Sequence, residues 1–475
     1  MSDPIDKIFV GEDVFSEKMD NIAAALLGVA AGQGGDIVVK SWKEIQMIVR
    51  MGLARKFFSI GDIIYAEKES AISASCSNGS VSVSVNAETF IAAIGEAGNL
   101  DYEATYDGIE WHKENGDPVN LTAYGISVTG TPTANDKIVI HETADDIPMV
   151  VIGFDQETPV DSTRTHSMSL LMLNTFTGVV FCGTQALMQF PDGLPAGNYC
   201  FSIASGYQNS YGGGSTLYFT LAQDIPAGGQ LYFPWGYNTQ ASATKISTYA
   251  SATATSATES NVSVSTTEIA GATSLGTIAN STIQTVTVAS KTVKINNVER
   301  ARYGSNNWEN SAIRQWCNSS AKKGSVWAPK DIFDRPPSWA STLDGFMYGL
   351  DPELVSCIGE VKKKTVLNSV TDGGSYVTTN EKCWLMAMGE MGVSGFSSEG
   401  SQYEFYNKLL GGTIADWSTH TELIKTNKAG SAQYWWLRSP RTGSANSARL
   451  VYTSGNVDYG SALDGHQAVV GFAII

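Results

Sequence analysis

Charge is scarce in this chain. Asp, Glu, Lys and Arg make up 16% of the residues, and 47 acidic side chains against 31 basic ones leave a formal net charge of −16. Gripping nucleic-acid phosphates needs clustered Lys and Arg, so this balance argues against nucleic acid as a partner, and equally against anionic membrane surfaces. Long hydrophobic runs are also missing. The longest smooth one, at residues 22–31, is about half of a membrane span. The opening MSDPIDKIFVGEDVF is acidic where a signal peptide would be basic and then apolar. The expectation is a soluble chain, made in a cytoplasm, not Sec-exported and without membrane insertion.

Reactive and metal-ligating groups are few and scattered. The six cysteines (Cys76, Cys182, Cys200, Cys317, Cys357 and Cys383) contain no C-x-x-C pair, which removes the zinc-site and thioredoxin readings and leaves reduced, buried structural thiols. The five histidines (His112, His141, His166, His420 and His466) lie far apart in sequence. No H-E-x-x-H, G-x-S-x-G, phosphate-binding loop or G-x-G-x-x-G occurs. The chain therefore reads as a non-enzyme with no cofactor and no metal.

What is present is apolar, glycine-rich and punctuated by turns. Hydrophobic residues at 43%, aromatics at 10% and 47 glycines give ample cores and point to strands and turns rather than helical bundles. A length of 475 residues suggests two to four structural units, at roughly 100–200 residues each. Within residues 14–31, Met19, Ile22, Leu26 and Val29 recur at helical spacing. That segment reads either as an amphipathic helix packed on its own subunit or as a short oligomerising stem, with residues 1–37 assigned to the stem. Ser41 and Glu44 form a capping box for a helix whose apolar face is Trp42, Ile45, Ile48 and Val49. Phe57 to Glu67 reads as strand, glycine turn, strand.

Residues 71–146 change character, with strict alternation in SVSVSVN and Asp-Gly, Asn-Gly and Thr-Gly turns, and read as an inserted small β module. Residues 147–237 are strand after strand. Residues 238–290, rich in Ser, Thr and Ala, are expected to supply short strands and long loops draped on a neighbouring sheet. Further on, Asn306-x-x-Glu309 suggests a cap for a helix carrying Trp308, Ala312 and Trp316 on one face.

The C-terminal stretch Tyr434-Trp-Trp-Leu-Arg-Ser-Pro440, followed by a polar tract, Val451-Tyr-Thr-Ser-Gly-Asn-Val457, another polar tract and a closing apolar strand, resembles a known family. It is similar to the variable proteins of diversity-generating retroelements, many of them carried by phages of gut bacteria. Trp308-x-x-x-x-Ile313-Arg-Gln-Trp316, Phe333-Asp-Arg-Pro-Pro337, Ile358-Gly-Glu-Val361, Lys382-Cys-Trp-Leu385 and the segment from Ser41 to Asp62 match it as well.

The resemblance implies an α+β architecture: a C-type-lectin-like domain over residues 38–70 and 147–475, with β-rich insertions and a short N-terminal helix. It implies a phage tail-tip or fibre receptor-binding protein located in the virion and trimeric. Its partners would be tail or baseplate proteins and a host-surface protein or glycan. A bacterial cell-surface lectin-like adhesin is the alternative.

Residues 434–475 are then the variable ligand-binding region. The candidate ligand-binding residues are Arg441, Thr442, Ser444, Asn446, Arg449, Tyr452, Asp458, Tyr459, Leu463, Asp464 and His466, set between the apolar anchors Trp435, Trp436, Leu437, Leu450 and Val451. Tyr, Ser, Asn, Gly and Arg combine rigid aromatic area with adaptable polar contacts. In the family, adenines of Asn codons are replaced, which never yields Lys, Glu, Gln, Trp or Met. None of these five occurs from Arg441 to His466. Asp458 and Asp464 alone are too few for calcium. Strand alternation is expected to place Arg449, Tyr452, Asp458, Tyr459, Asp464 and His466 on one solvent-facing surface with the tryptophans beneath.

Overall fold

The computed structural model describes residues 41–68, 72–86, 89–90, 93, 101–142, 146–204, 214–232, 245–249 and 260–475. The stem segment at 14–31 lies outside the described residues. The architecture is mixed, rich in strands and poor in helix. The chain divides into two compact units, one of Met1–Ile63, Met149–Tyr348 and Ser356–Ile475 and one of Ile64–Pro148 and Gly349–Val355. No described helix is long and apolar enough to cross a membrane.

The smaller unit contains residues 71–146. Its four-stranded sheet runs, in spatial order, Ile72–Cys76, Lys137–Glu142, Asp101–Tyr106 and Trp111–Lys113. A separate two-stranded antiparallel sheet pairs Ser82–Val85, the alternating SVSV run, with Ile126–Thr129. Alternation sends Ile138, Ile140, Ala104 and Ile126 inward around Phe90, and these form a core of their own.

The first described element of the larger unit is the helix Trp42–Arg50, whose capping box is formed as its sequence predicts: Ser41 Oγ accepts from the Glu44 N–H and the Glu44 carboxylate accepts from the Ser41 N–H, both at 3.2 Å. Residues 57–67 differ from the reading above. Ala54–Phe57 is a short helix, and the single strand starts at Ile63.

The described strands of residues 238–290 are built into a sheet rather than draped over one. Strands Lys245–Tyr249, Ser260–Ser265, Thr273–Ile278 and Gln284–Val288 are hydrogen-bonded members of a nine-stranded sheet. β-Branched residues make this possible. Val262, Val264, Leu275 and Ile278 alternate into a core with Phe190, Phe201 and Phe219, while Ser and Thr take the outer face.

Two five-stranded sheets organise the rest. One includes Ile147–Phe154, Met168–Met172, Val470–Ile474 and Cys383–Leu385, nearly all buried. The other carries the C-terminal motif. We label its strands β1 (Gly178–Val180), β2 (Trp435–Pro440), β3 (Ser447–Val451), β4 (Val457–Ser461) and β5 (Gly465–Gln467); their spatial order is β1-β5-β2-β3-β4. Every residue of β2 and β3 is buried. The Trp435 indole donates to Leu423 O at 3.1 Å and the Trp436 indole to Val179 O at 2.8 Å, so each ring is fixed in position as well as packed.

Trp308 is not part of a helix capped by Asn306. The helix is Ala312–Cys317, capped by Ser311, and Asn306 is used elsewhere. Of the cysteines, Cys76 and Cys200 are only half-buried, and the other four are buried.

Beside β2 lies a polar core. Arg438, buried completely, donates to Glu390 at 2.5 Å, to Leu385 O at 2.7 Å, and to Thr365 Oγ1 and Lys364 O, both at 3.1 Å. The carboxylate takes only one nitrogen of the guanidinium fork, because the others serve backbone and hydroxyl oxygens. Lys363 Nζ joins Glu390 at 3.1 Å and Glu157 at 2.6 Å, and Tyr403 donates its hydroxyl to Glu157. Burial alone would raise the pKa of Glu390. Arg438 and Lys363 outweigh it and hold that carboxyl down at about 2.

Candidate functional site

The β3–β4 hairpin determines where the candidate residues go. Arg449 stands opposite Tyr459 and Leu450 opposite Asp458, so each pair shares a face and the two pairs point to opposite faces. The turn between the strands closes with Tyr452 N–H to Asn456 O at 2.8 Å. Gly455 makes this turn possible. Its φ is +82°, and a Cβ there would meet His420 O at 2.1 Å.

On the Leu450 face is an open cleft of about 630 Å³. Tyr434, Tyr452 and His466 form an aromatic wall: the Tyr434 and Tyr452 ring centroids are 4.8 Å apart, and His466 lies 5.4 Å from Tyr434. His466 rests edge-on against Trp436 at 4.7 Å, which places the tryptophan beneath the wall. Asp458, Asp464, Asn446 and Tyr303 also line the cleft. At Gly460 no side chain rises into it. An added Cβ would stand 2.7 Å from Leu450 Cδ2 and 3.1 Å from His466 Nε2. Burial lowers the pKa of His466 below its ordinary value, only partly opposed by Asp464, so the ring is neutral at pH 7.

The opposite face is a different surface. Arg449 is not exposed as expected; it is 3% accessible, bonded to Asp416 at 2.7 Å and stacked 4.1 Å over the Trp417 ring. The Tyr459 ring also lies here, 5.6 Å from Trp417, with the Arg441 guanidinium 4.0 Å above it. Tyr459 reaches the cleft side through its carbonyl, 3.4 Å from the Tyr452 hydroxyl. The single binding surface expected from the sequence is therefore two. Tyr452, Asp458, Asp464 and His466 belong to the cleft, whereas Arg441, Arg449 and the Tyr459 ring belong to a cation–aromatic stack. The reason is register: one residue along a strand changes the face.

The remaining candidates lie in the loops. Asn446 lines the cleft but is itself buried, and accepts the Ser444 hydroxyl at 2.6 Å. Thr442 is exposed, and Leu463 is half-buried at the turn before β5. The 442–447 loop is held from below through its main chain. Asn306 Nδ2 donates to Ser444 O at 2.7 Å and to Ser447 O at 2.9 Å, Arg300 Nε to Ala445 O at 3.2 Å, and the Ser369 N–H to Thr442 O at 2.8 Å. Arg300 and Asn306 are themselves held, Arg300 by Asp372 at 2.7 Å and Asn306 by Asn368 at 2.9 Å.

Tyr434 and Tyr303 were missed from sequence. Tyr434 carried a signal: it sits two residues before Trp436 and so on the same face. Tyr303 carried none, being brought in by the helix Val298–Tyr303 from more than a hundred residues away. Among the described residues, no group of three or more His, Cys, Asp or Glu could hold a metal ion.

The arrangement can bind: it has a rigid floor, an aromatic wall, two carboxylates and amide and hydroxyl groups at the rim. No curated protein and no solved structure matches the chain. Residues 281–471, which contain every residue lining the cleft, are similar to a family described as Domain of unknown function (DUF6273).

Proposed function

We propose that this chain is a phage tail-tip or fibre receptor-binding protein, not an enzyme, whose C-terminal part has a C-type-lectin fold and displays a diversified surface to host-surface ligands. In this reading it resides in the virion as a homotrimer docked to tail or baseplate proteins. One observation carries the reading. Of the twelve residues lining the cleft, ten fall between Arg441 and His466, the span whose composition fits adenine-directed diversification; only Tyr303 and Tyr434 lie outside it. A concave site built from one short variable span on a buried sheet suits recognition that changes while the scaffold stays.

The test is staining of a panel of gut bacterial isolates with the labelled full-length chain. A subset of strains should stain. Tyr434→Ala with Tyr452→Ala should abolish staining, each removing roughly 2 kcal/mol as a binding hot spot, while the melting temperature stays within about 2 °C because both rings sit at a half-open rim. Equal staining by the variant, or no stained strain in the panel, overturns the proposal.

A further inference from the structure

The charges of the cleft do not balance. Asp458 and Asp464 both line it, and no lysine or arginine is among its described lining residues. His466, the only other ionisable base there, is kept neutral by burial. The carboxylates have neutral partners only: Asp458 accepts the Tyr459 N–H at 2.9 Å and Asn456 Nδ2 at 3.4 Å, and Asp464 accepts the Ser461 N–H at 3.1 Å. Each retains acceptor capacity, since an ionised carboxylate offers about four lone-pair sites. On the opposite face of the same hairpin the carboxylate does have a cationic partner, Asp416 being bonded to Arg449. Two carboxylates without a cationic partner, in a cleft also lined by Tyr434 and Tyr452, make an anionic, aromatic-walled site. Aromatic faces and carboxylates both attract cations, and complementary charge sets partner choice.

We infer that the cleft takes a cationic side chain, arginine or lysine, presented by a protein on the host surface. The inference rests on the receptor-binding reading above and narrows its ligand from protein or glycan to protein. The guanidinium or ammonium group lies against the tyrosine faces and donates to Asp458 and Asp464, and the aliphatic stem covers Leu450. A neutral sugar would leave the carboxylates without a counter-charge.

The experiment is saturation-transfer NMR on the full chain with four separate probes: N-acetyl-argininamide, N-acetyl-lysinamide, tetramethylammonium and methyl α-glucoside. The arginine and lysine probes should receive saturation, with a dissociation constant of about 1–10 mM as befits one side chain. Binding should weaken about 5-fold between roughly 20 and 300 mM NaCl as the charges are screened, and EDTA should change nothing. Asp458→Asn with Asp464→Asn should abolish transfer. Asp464→Asn alone, at an exposed turn, should weaken it with melting unchanged, which keeps the test valid if the double variant fails to fold.

Transfer to the glucoside but not to the cations overturns the inference, as does transfer to tetramethylammonium alone or undiminished transfer to both asparagine variants. Cell staining separates this failure from that of the underlying reading. If the Tyr434/Tyr452 variant loses staining and the folded asparagine variants keep it, the cationic ligand falls and receptor binding stands. If none of them alters staining, receptor binding falls too.

Discussion

Glu390→Gln is expected to destabilise the larger unit by about 3–5 kcal/mol, the usual cost of leaving a buried charge without its partner. The substitution preserves volume, so packing is not what is lost. Arg438, fully buried, would keep only neutral oxygens as acceptors, and Lys363 would keep Glu157 and Tyr403. Denaturant unfolding followed by tryptophan fluorescence reads the effect, because Trp384, Trp435 and Trp436 all belong to this unit.

A pH dependence follows from the same carboxylate. Its folded pKa of about 2 lies below the ordinary 4.5, so its contribution is fully present above pH 4.5 and is lost as pH falls toward 2. Asp334 acts in the opposite sense. Burial raises it to about 6, so stability from its protonated form is present below pH 3.8 and disappears as pH rises through 6. Wild type should therefore lose roughly 3 kcal/mol more than Glu390→Gln between pH 5 and 2. Acid-unfolding curves with no difference in pH dependence between the two proteins would show that Glu390 is not held in its ionised form by the cluster.

The second large effect is expected from Trp436→Ala, at about 3–5 kcal/mol. The ring is fully buried, lies 5.6 Å from Phe181, and supports His466 from below. Its loss removes packing and also the support beneath His466 in the cleft wall, so melting temperature and ligand binding should fall together. Tyr452→Ala should lose binding alone. Tyr459→Ala, by contrast, should cost about 1 kcal/mol of stability through the lost contact with Arg441 and leave the cleft wall standing. A Trp436→Ala protein that melts like wild type would mean that β2 is not anchored by this ring.

Local patterns carried well from sequence to structure. The Ser41–Glu44 capping box and the burial of Trp435, Trp436 and Leu437 follow from spacing and hydrophobicity, and a carboxylate partner for Arg438 follows from the cost of burying its charge. Long-range pairing did not carry. That Arg449 faces Asp416 and Trp417, away from Asp458, depends on which residues the hairpin aligns, and the two-residue period gives relative faces only once one residue is placed. The Ser/Thr/Ala tract misleads for a related reason. Its strands are recognisable, but the strands that draw three of them into a nine-stranded sheet, Gly197–Ile203, Thr216–Leu221 and Gly229–Tyr232, lie elsewhere in the chain. Asn306 looks like a helix cap and is a brace for a distant loop, because the same short amide that caps a helix also grips two carbonyls.

That brace has a consequence for how the molecule can change. Asn306, Arg300 and the Ser369 N–H hold the 442–447 loop by carbonyl oxygens, a group common to all twenty amino acids. The supports are blind to what the loop spells. A library randomised at Thr442, Ser444 and Ala445 should keep its backbone path in most members, whereas one randomised at Arg300, Asn306 and Asp372 should lose it in most. Mutational freedom and mutational fragility are thus assigned to different stretches of the chain, and a chain so divided can explore new surfaces without refolding for each.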